Sequence, residues 1–327
     1  MTYRNIVTLM RVPPPTRDLG WLQEALINAV QLELATLPPY LCAYWSIKNA
    51  SAIAAKLIHN IYMQEMKHMG LAANMAVGVG ATPAIDTEVP TYPGHLPGGV
   101  RPELTVYLAG LTKPYVKNVC MEIEMPENPL AKAVFGAEEF PTIGAFYDAI
   151  IDAFQTLQPA ISQTNQITSG IGVTIIKSVT DAVAALNIIK VEGEGTQDSP
   201  DEAPDDPAHY YKFGSIFYGK TIVKQNGAWV WEGSDVPFPD AWPMAQVPAG
   251  GWAAQAGTPA SVKSLLTEFD TTFKSLLKNL QGAWTGLGTF GAAVGDMYSL
   301  EDPAVQLMQI PVGGGVQGNY GPDFFVS

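Results

Sequence analysis

The chain has 327 residues, of which 47% are hydrophobic and 15% are charged, a balance that excludes an intrinsically disordered protein. Its net charge of −13 repels phosphate backbones and anionic membrane surfaces, so we expect no nucleic-acid and no membrane partner. The N-terminal residues lack the apolar core of a signal peptide and no long apolar run follows, which predicts a cytoplasmic protein. Cys42 and Cys120 are too few for a disulfide framework or a thiolate metal site.

The N-terminal part of the chain predicts a helical hairpin. Apolar residues recur at helical spacing from a cap at Asp18 to about Lys48, and again over residues 53–77. A short break at 49–51 joins the two helices. The Pro38-Pro39 pair inside the first helix removes two backbone donors, which predicts a kink or bulge there.

The middle of the chain predicts a long loop and three shorter helices. Residues 81–141 are rich in proline and glycine, which is typical of an excursion packed over the helices. Helical spacing returns over about 142–157 and 179–191, and a further helical segment is expected over about 206–217. These segments supply the partners that an amphipathic hairpin needs in order to bury its apolar faces.

A small β-hairpin is predicted next. Asn226-Gly227 lies between two alternating segments within 221–232, and this dipeptide is typical of a tight hairpin turn. A loop rich in proline, glycine and tryptophan follows at 236–259, and helices are expected over about 261–280 and 292–308.

The predicted fold is therefore mainly α, a four-helix bundle with long loop excursions, extra C-terminal helices and one small β-hairpin. We expect the bundle to span residues 1–220. Residues 221–327 are expected to pack on the same domain.

Three polar residues interrupt the apolar faces of the first two helices. Glu33 shares a stripe with Leu26 and Val30, and Glu65 and His68 form a Glu-x-x-His motif among apolar residues of the second helix. A buried, isolated carboxylate costs several kcal/mol, so each must be neutral, hydrogen-bonded or bound to a cation. Glu33 and Glu65 lie at nearly equal distances from the connecting turn, so they face each other at one height.

This pattern predicts a carboxylate-bridged metal pair. Four-helix bundles build such sites from a glutamate on each of two helices and a Glu-x-x-His motif on the other two. The second half would come from Glu194 and from Asp206 and His209, with Asp-x-x-His in place of Glu-x-x-His. Carboxylate and imidazole ligands favour two iron ions per chain, with manganese as the alternative, and the lack of thiolates argues against structural zinc.

Each candidate ligand also has a structural explanation. A hydrogen bond to a tyrosine such as Tyr62 would account for Glu33, and helix capping would account for Asp206. His209 could be an ordinary histidine beside two tyrosines, and Glu194 a solvated residue at a helix end. Outside this set, we expect the sequence around Glu122 and Glu124 to be extended, with both carboxylates facing solvent, and we keep two further acidic residues as weaker candidates: Asp148 and Glu192.

Several segments together resemble a known family: QLELATLPPYLCAYWSIKN, IYMQEMKHMGLAANMAVGVGATP, TIGAFYDAI, GEG and HYYKF. They are similar to the ferritin-like domain of the iminophenyl-pyruvate dimer synthases, the oxidative coupling enzymes of the violacein and rebeccamycin type. The resemblance spans roughly residues 19–219 and, more loosely, the C-terminal helices. It implies a ferritin-like bundle whose acidic and histidine positions match five residues here: Glu33, Glu65, His68, Glu194 and His209. The chain departs from the family in having Asp206 where glutamate is common, in having Ala145 where a polar residue is frequent, and in lacking the large additional domain.

The leading functional hypothesis is a di-iron enzyme that uses O2 to oxidise a small amino-acid-derived or secondary-metabolite substrate. Tyr62 and Tyr44 lie near the ligand face and are candidates to donate hydrogen bonds or electrons. The loops at 81–141 and 236–259 are the expected cover of the pocket, and the pattern allows a homo-oligomer. One alternative is a non-catalytic ferritin-like metal-binding or scaffold protein, and another is a cofactor-free or haem-associated partner in a multi-enzyme pathway.

Overall fold

The computed structural model describes residues 5–126, 142–196, 198–203 and 206–326. Helices account for 53% of the described residues and the strands among them are few and short, so the mainly α prediction is confirmed. The part of the predicted excursion at 127–141 lies outside the described residues. No described helix is both long enough and apolar enough to span a bilayer.

Two long antiparallel helices form the centre of the fold. After the short helix α1 (Ile6–Met10) and a 3-10 turn, α2 (Leu19–Ser46) begins at Asp18, whose side chain accepts the backbone N–H of Trp21 at 2.8 Å. α3 (Ile53–Gly78) returns along α2. Both helices begin and end close to the predicted positions.

α2 continues through Pro38 and Pro39, which form part of one helix. Pro39 has no N–H to bond the carbonyl of Ala35 one turn earlier. That carbonyl instead accepts the hydroxyl of Tyr92 at 2.7 Å. A side chain from the excursion therefore replaces a lost backbone hydrogen bond beside the Glu33 turn.

The described part of the excursion contains only short elements. They are a 3-10 turn (Pro97–Gly99), α4 (Lys113–Tyr115), a π-helical turn (Val116–Cys120) and α5 (Met121–Ile123). Glu122 lies in α5 and Glu124 directly follows it. The predicted extended conformation of this segment is therefore wrong, because the chain forms one continuous helical stretch here.

Three further helices complete the bundle. α6 (Ile143–Leu157) starts at Thr142, and α7 (Val179–Glu194) ends at Gly195, both near the predicted bounds. α8 (His209–Tyr218) begins later than expected, because the short strands β1 (Asp201–Ala203) and β2 (Asp206–Pro207) pair before it. Ala208 is its N-cap residue, so the alternative explanation of Asp206 as a helix cap is wrong.

The C-terminal third begins with the expected hairpin of β3 (Val223–Gln225) and β4 (Ala228–Val230). Asn226 and Gly227 have φ values of +50° and +81°, as a tight primed turn requires. α9 (Ala260–Thr285) follows, and the single helix expected near 292–308 is divided into α10 (Phe290–Ser299) and α11 (Glu301–Leu307). A further pair, β5 (Pro311–Gly313) and β6 (Val316–Asn319), was not expected, so the described residues contain three two-stranded sheets.

Two carboxyl groups lie together where the C-terminal segment meets α9. Asp323 is 4% exposed and accepts the backbone N–H of Trp252 at 2.9 Å. Burial, and then the neighbouring Asp323, raise the pKa of Asp270 on α9 to about 8. This pair lies apart from the bundle residues described next.

Candidate metal centre

α2 and α3 bring the three residues of the first predicted group together. Glu33, Glu65 and His68 are 5%, 3% and 1% exposed, and each offers one ligand atom within 4.8 Å of the others. His68 Nδ1 lies 3.7 Å from Glu33 Oε2. The Thr36 hydroxyl donates to Glu65 Oε2 at 3.0 Å. A carboxylate on each helix and one imidazole nitrogen thus converge in a buried space.

A second group contains Glu65 again, together with Glu124 and His209. His209 Nδ1 lies 2.6 Å from Glu65 Oε1 and 3.5 Å from Glu124 Oε2. The two imidazole rings are stacked with their centroids 5.6 Å apart. The structure therefore positions two adjacent carboxylate–histidine groups to bind metal, and Glu65 is common to both.

Both histidines turn the same nitrogen towards the carboxylates. His68 Nε2 is 2.8 Å from Glu192 Oε2, and His209 Nε2 is 3.1 Å from Gln64 Oε1. A carboxylate or amide oxygen can only accept, so in each ring Nε2 carries a proton when these bonds form. Metal-ligating histidines are usually held in this way, with the outer N–H bonded and the inner nitrogen free to coordinate.

The orientation of Gln64 is fixed independently. Its Nε2 donates to Glu202 Oε1 at 2.9 Å, and the buried Lys212 donates to its Oε1 at 3.3 Å. His209 Nδ1 is buried and has no hydrogen-bond partner among the described residues, since its close contact with Glu65 lacks hydrogen-bond geometry. An unbonded imidazole nitrogen that faces carboxylate oxygens fits a metal ion between them.

Without a cation, the neighbouring carboxylates of this centre repel one another. Burial, and then repulsion from Glu124 and Glu33, raise the pKa of Glu65 well above its usual range. Burial alone would lower the pKa of His68, but its hydrogen bonds to Glu192 and Glu33 outweigh burial and raise it to about 9. The metal-free centre thus favours protons on groups that would have to release them to a metal ion.

Two tyrosines hold the carboxylates from outside. Tyr147 on α6 donates to Glu33 Oε1, and Tyr40 on α2 donates to Glu124 Oε1, and both side chains are fully buried. Tyr40 lies seven residues after Glu33 and therefore on the same helix face, a spacing that could have identified it from sequence. Tyr147 was visible only as one residue of the apolar face of its helix.

The two tyrosines predicted from sequence lie elsewhere. Tyr44 and Tyr62 make an edge-to-face contact with ring centroids 5.2 Å apart, and both rings also contact His59. Neither lines the cavity next to the carboxylates. The tyrosine that donates a hydrogen bond to Glu33 is Tyr147, and not Tyr62 as the sequence allowed.

A small cavity of about 50 Å³ opens beside these groups, and Glu194 lines it together with Glu33, Glu65, His68 and Glu124. Gly144 on α6 leaves room for the Glu194 carboxylate, because a Cβ atom there would lie 2.7 Å from Glu194 Oε2. α7 thus brings Glu194 to the cavity, as expected. Glu192, on the same helix, contacts His68 rather than the cavity.

The structure does not bring Asp206 to this cavity. Its carboxylate pairs with Lys212 at 3.1 Å, and its side chain is 45% exposed. Glu124 lies beside His209 instead, with a side chain only 9% exposed, so the expectation that it faces solvent is wrong. Glu122 pairs with Arg101 at 2.6 Å, and Asp148 pairs with Lys190 on the surface.

The structure thus defines a helical-bundle protein whose carboxylate and histidine groups are positioned to bind a metal ion. The family model described as Ferritin-like matches residues 26–218, well over half of the chain, so the chain belongs to the ferritin-like family. A solved structure of a ferritin like protein from Caulobacter vibrioides is similar to it, with a TM-score of 0.68 and 21% identity over 93% of this chain and 97% of that one. No curated protein gives a significant match. The predicted ferritin-like fold is confirmed, whereas the narrower resemblance to the dimer synthases stays a prediction.

Proposed function

We propose that this protein is an O2-dependent di-metal oxidase or oxygenase that acts on a small organic molecule. The observation that carries the proposal is the shared position of Glu65 between two buried carboxylate–histidine groups. One such group would suffice to bind a single ion. Two groups with a common carboxylate are the arrangement that bundles use for a metal pair.

In this proposal Glu33 and His68 would hold one metal ion, Glu124 and His209 would hold the other, and Glu65 would contribute to both. Glu194 completes the set from the cavity side. Oxygen and nitrogen ligands of this kind suit iron, with manganese as the alternative. When bound, the metal pair would supply the electrons and the open coordination positions that O2 chemistry requires.

The residues around the ligands have three tasks. Glu192 and Gln64 hold the outer protons of the two histidines, so that both Nδ1 atoms remain available. Tyr40 and Tyr147 donate to the carboxylate oxygens that face away from the centre and limit how far these side chains can turn. The apolar lining, which includes Ile123, excludes bulk water, and such shielding strengthens every charge interaction inside.

The substrate class comes from the resemblance to the oxidative coupling enzymes, which supports a small amino-acid-derived or secondary-metabolite substrate oxidised in the cytoplasm. The cavity of about 50 Å³ is large enough for O2 or water but not for such a molecule. The substrate must therefore approach from outside the cavity, whose lining includes the partly exposed Glu194 and Met125.

A non-catalytic ferritin-like scaffold is the second candidate. The observation that favours it is that Glu33 is bonded by Tyr147 and lies beside a His68 that readily holds a proton, which stabilises the centre without metal. The scaffold would fold without metal and consume no O2, whereas the oxidase would bind metal and consume O2.

The decisive experiment is metal analysis of the whole chain after anaerobic loading with Fe(II), followed by O2-electrode measurements. We expect about two iron ions per chain, lost largely in Glu65→Ala and His68→Ala, with O2 consumed on mixing. Asp206→Asn is the matched control, since this carboxylate lies outside the cavity, and it should keep both ions. Failure of the loaded wild-type chain to retain metal would refute the proposal. Failure to retain metal with unchanged stability would support the scaffold, and metal retention without O2 uptake would support a non-catalytic metal-binding protein.

A further inference from the structure

A second and larger cavity lies on the other side of the α2–α3 hairpin. It measures about 230 Å³, is lined by α2, α3, α9, α10 and the loop near residues 167–173, and opens to solvent near the exposed Tyr298. α2 presents Glu33 and Thr36 to the metal centre, and Leu34, Leu37 and Leu41 to this apolar cavity. The two spaces therefore use opposite faces of the same helices, and the apolar cavity plays no part in the proposed metal chemistry.

The lining of the apolar cavity sets the chemistry of what can enter. No charged side chain lines it within the described part of the chain. An ion would lose its hydration there without gaining a counter-ion, which excludes charged ligands. Four methionines contribute to the wall, and their flexible thioethers adapt to ligands of irregular shape: Met63, Met66, Met69 and Met297.

One polar group in the wall lacks a partner. The Ser169 hydroxyl oxygen is buried and makes no hydrogen bond with any described residue. Ser169 lines the apolar cavity, and buried hydroxyl groups are normally hydrogen-bonded. A ligand with a single hydroxyl or carbonyl group would satisfy this hydroxyl while its hydrocarbon part contacts the remaining wall.

α10 forms one side of the apolar cavity. Phe290, Ala293, Val294 and Met297 line the cavity, and Ala293 is the buried residue of α10. The helix is held by the turn that connects it to α9, where the backbones of Gly282 and Gly288 meet too closely for either to carry a side chain without adjustment. Asp296 on the other side of α10 also accepts hydrogen bonds from Ser275 and Asn279 of α9, at 2.8 and 2.7 Å. These contacts hold α10 in place and leave its apolar face available to a ligand.

The volume of the apolar cavity limits the size of the ligand. An apolar protein cavity of about 150 Å³ accommodates benzene, so about 230 Å³ accommodates roughly nine carbon atoms by proportion. Well-packed interiors have few voids larger than a water molecule, so an apolar pocket of this volume between packed helices has room for a ligand.

From these observations we propose that the apolar cavity is a binding site for a neutral, mainly hydrocarbon molecule of about nine to ten heavy atoms, with one polar group that bonds Ser169. The site is separate from the metal centre and does not depend on the proposed oxidase function.

The test uses equilibrium dialysis of the full chain against 1-nonanol, with nonanoate as the charged counterpart and n-nonane as the counterpart without a polar group. We expect one nonanol per chain and nonanoate at least tenfold weaker. Ser169→Ala should weaken nonanol binding about two- to tenfold and leave nonane binding unchanged.

Ala293→Phe fills the space and should abolish binding, while the matched control Ala292→Phe, on the exposed side of α10, should bind as the wild type does. A melting temperature of Ala293→Phe at or above that of the wild type shows that loss of binding does not reflect unfolding. Glu65→Gln, which alters the metal centre, should leave nonanol binding unchanged, so the two proposals fail separately. The absence of saturable nonanol binding, equal affinity for nonanoate, or wild-type binding by Ala293→Phe would each overturn the proposal.

Discussion

Replacing Glu192 by alanine removes the acceptor that holds the Nε2 proton of His68 while leaving every proposed ligand in place. The lost contact is a 2.8 Å hydrogen bond between an imidazole and a carboxylate that is 16% exposed. Hydrogen bonds to charged groups are worth about 1.5–3 kcal/mol, which corresponds to the roughly 10–100-fold loss of metal affinity typical of such outer partners. We therefore expect Glu192→Ala to bind metal about 10–100 times more weakly than the wild type does.

The assay measures urea unfolding with and without Mn(II) under anaerobic conditions. With metal at 100 times the wild-type Kd, the wild type gains about 2.7 kcal/mol of unfolding free energy. A tenfold weaker site gains about 1.4 kcal/mol, and a hundredfold weaker site about 0.4 kcal/mol. These differences exceed the error of a denaturation midpoint comparison.

Two variants separate orientation from charge. Glu192→Gln keeps an oxygen acceptor and should fall between the alanine variant and the wild type. Lys67→Met removes the other partner of this carboxylate but leaves its bond to His68, so its metal affinity should stay near that of the wild type. A Glu192→Ala variant whose affinity lies within twofold of the wild type would refute the orienting role.

Three further outcomes follow from the structure. Gly144→Ala places a Cβ atom 2.7 Å from the Glu194 carboxylate, which must move, so calorimetric titration should show about tenfold weaker metal binding with little change in metal-free stability. Tyr147→Phe removes the buried hydroxyl that donates to Glu33 and should cost about 1.5–3 kcal/mol in urea unfolding of the metal-free chain, a loss that metal should reduce and that an unchanged midpoint would contradict. The folded state keeps the Asp270 proton up to a pKa of about 8, whereas the unfolded state loses it near pH 4. The free energy of unfolding should therefore fall by about 2 kcal/mol from pH 4 to 8, after allowance for solvent screening. Asp270→Asn should flatten this pH dependence, and parallel pH profiles of variant and wild type would disprove the assignment.

The first half of the candidate centre could be predicted because it depends on local rules. Helical periodicity places Glu33, Glu65 and His68 on apolar faces, and a short turn places those faces opposite each other. Nothing distant in the sequence is needed for that inference. The bounds of α2 and α3 followed from the same periodicity.

The position of Glu124 could not be predicted in this way. It follows a helical stretch of only a few residues whose middle is a π-helical turn, so no regular periodicity marks its inward face. Its orientation is set by Tyr40, more than eighty residues earlier in the chain. Long-range contacts of this kind leave no pattern in a single sequence.

Asp206 shows the opposite error. The spacing to His209 made it a candidate ligand and helix capping was the alternative explanation, yet the chain pairs β2 with β1 at this point and delays the helix. Lys212, one turn into α8, then pairs with the Asp206 carboxylate at 3.1 Å. A strand pairing and a buried lysine, neither visible from local spacing, override the capping rule.

The α2–α3 hairpin orients the partners on other elements as well as its own ligands. Tyr40 donates to Glu124, Gln64 bonds the outer nitrogen of His209, and His68 bonds Glu192 on α7. Each contact joins the hairpin to a different part of the chain. A one-residue shift of α3 along α2 would therefore break contacts in both metal-binding groups at once. This explains how Glu124, after a stretch with a π-helical turn, and His209, at the first residue of α8, present their side chains at one point: both are positioned by contacts with the two long helices.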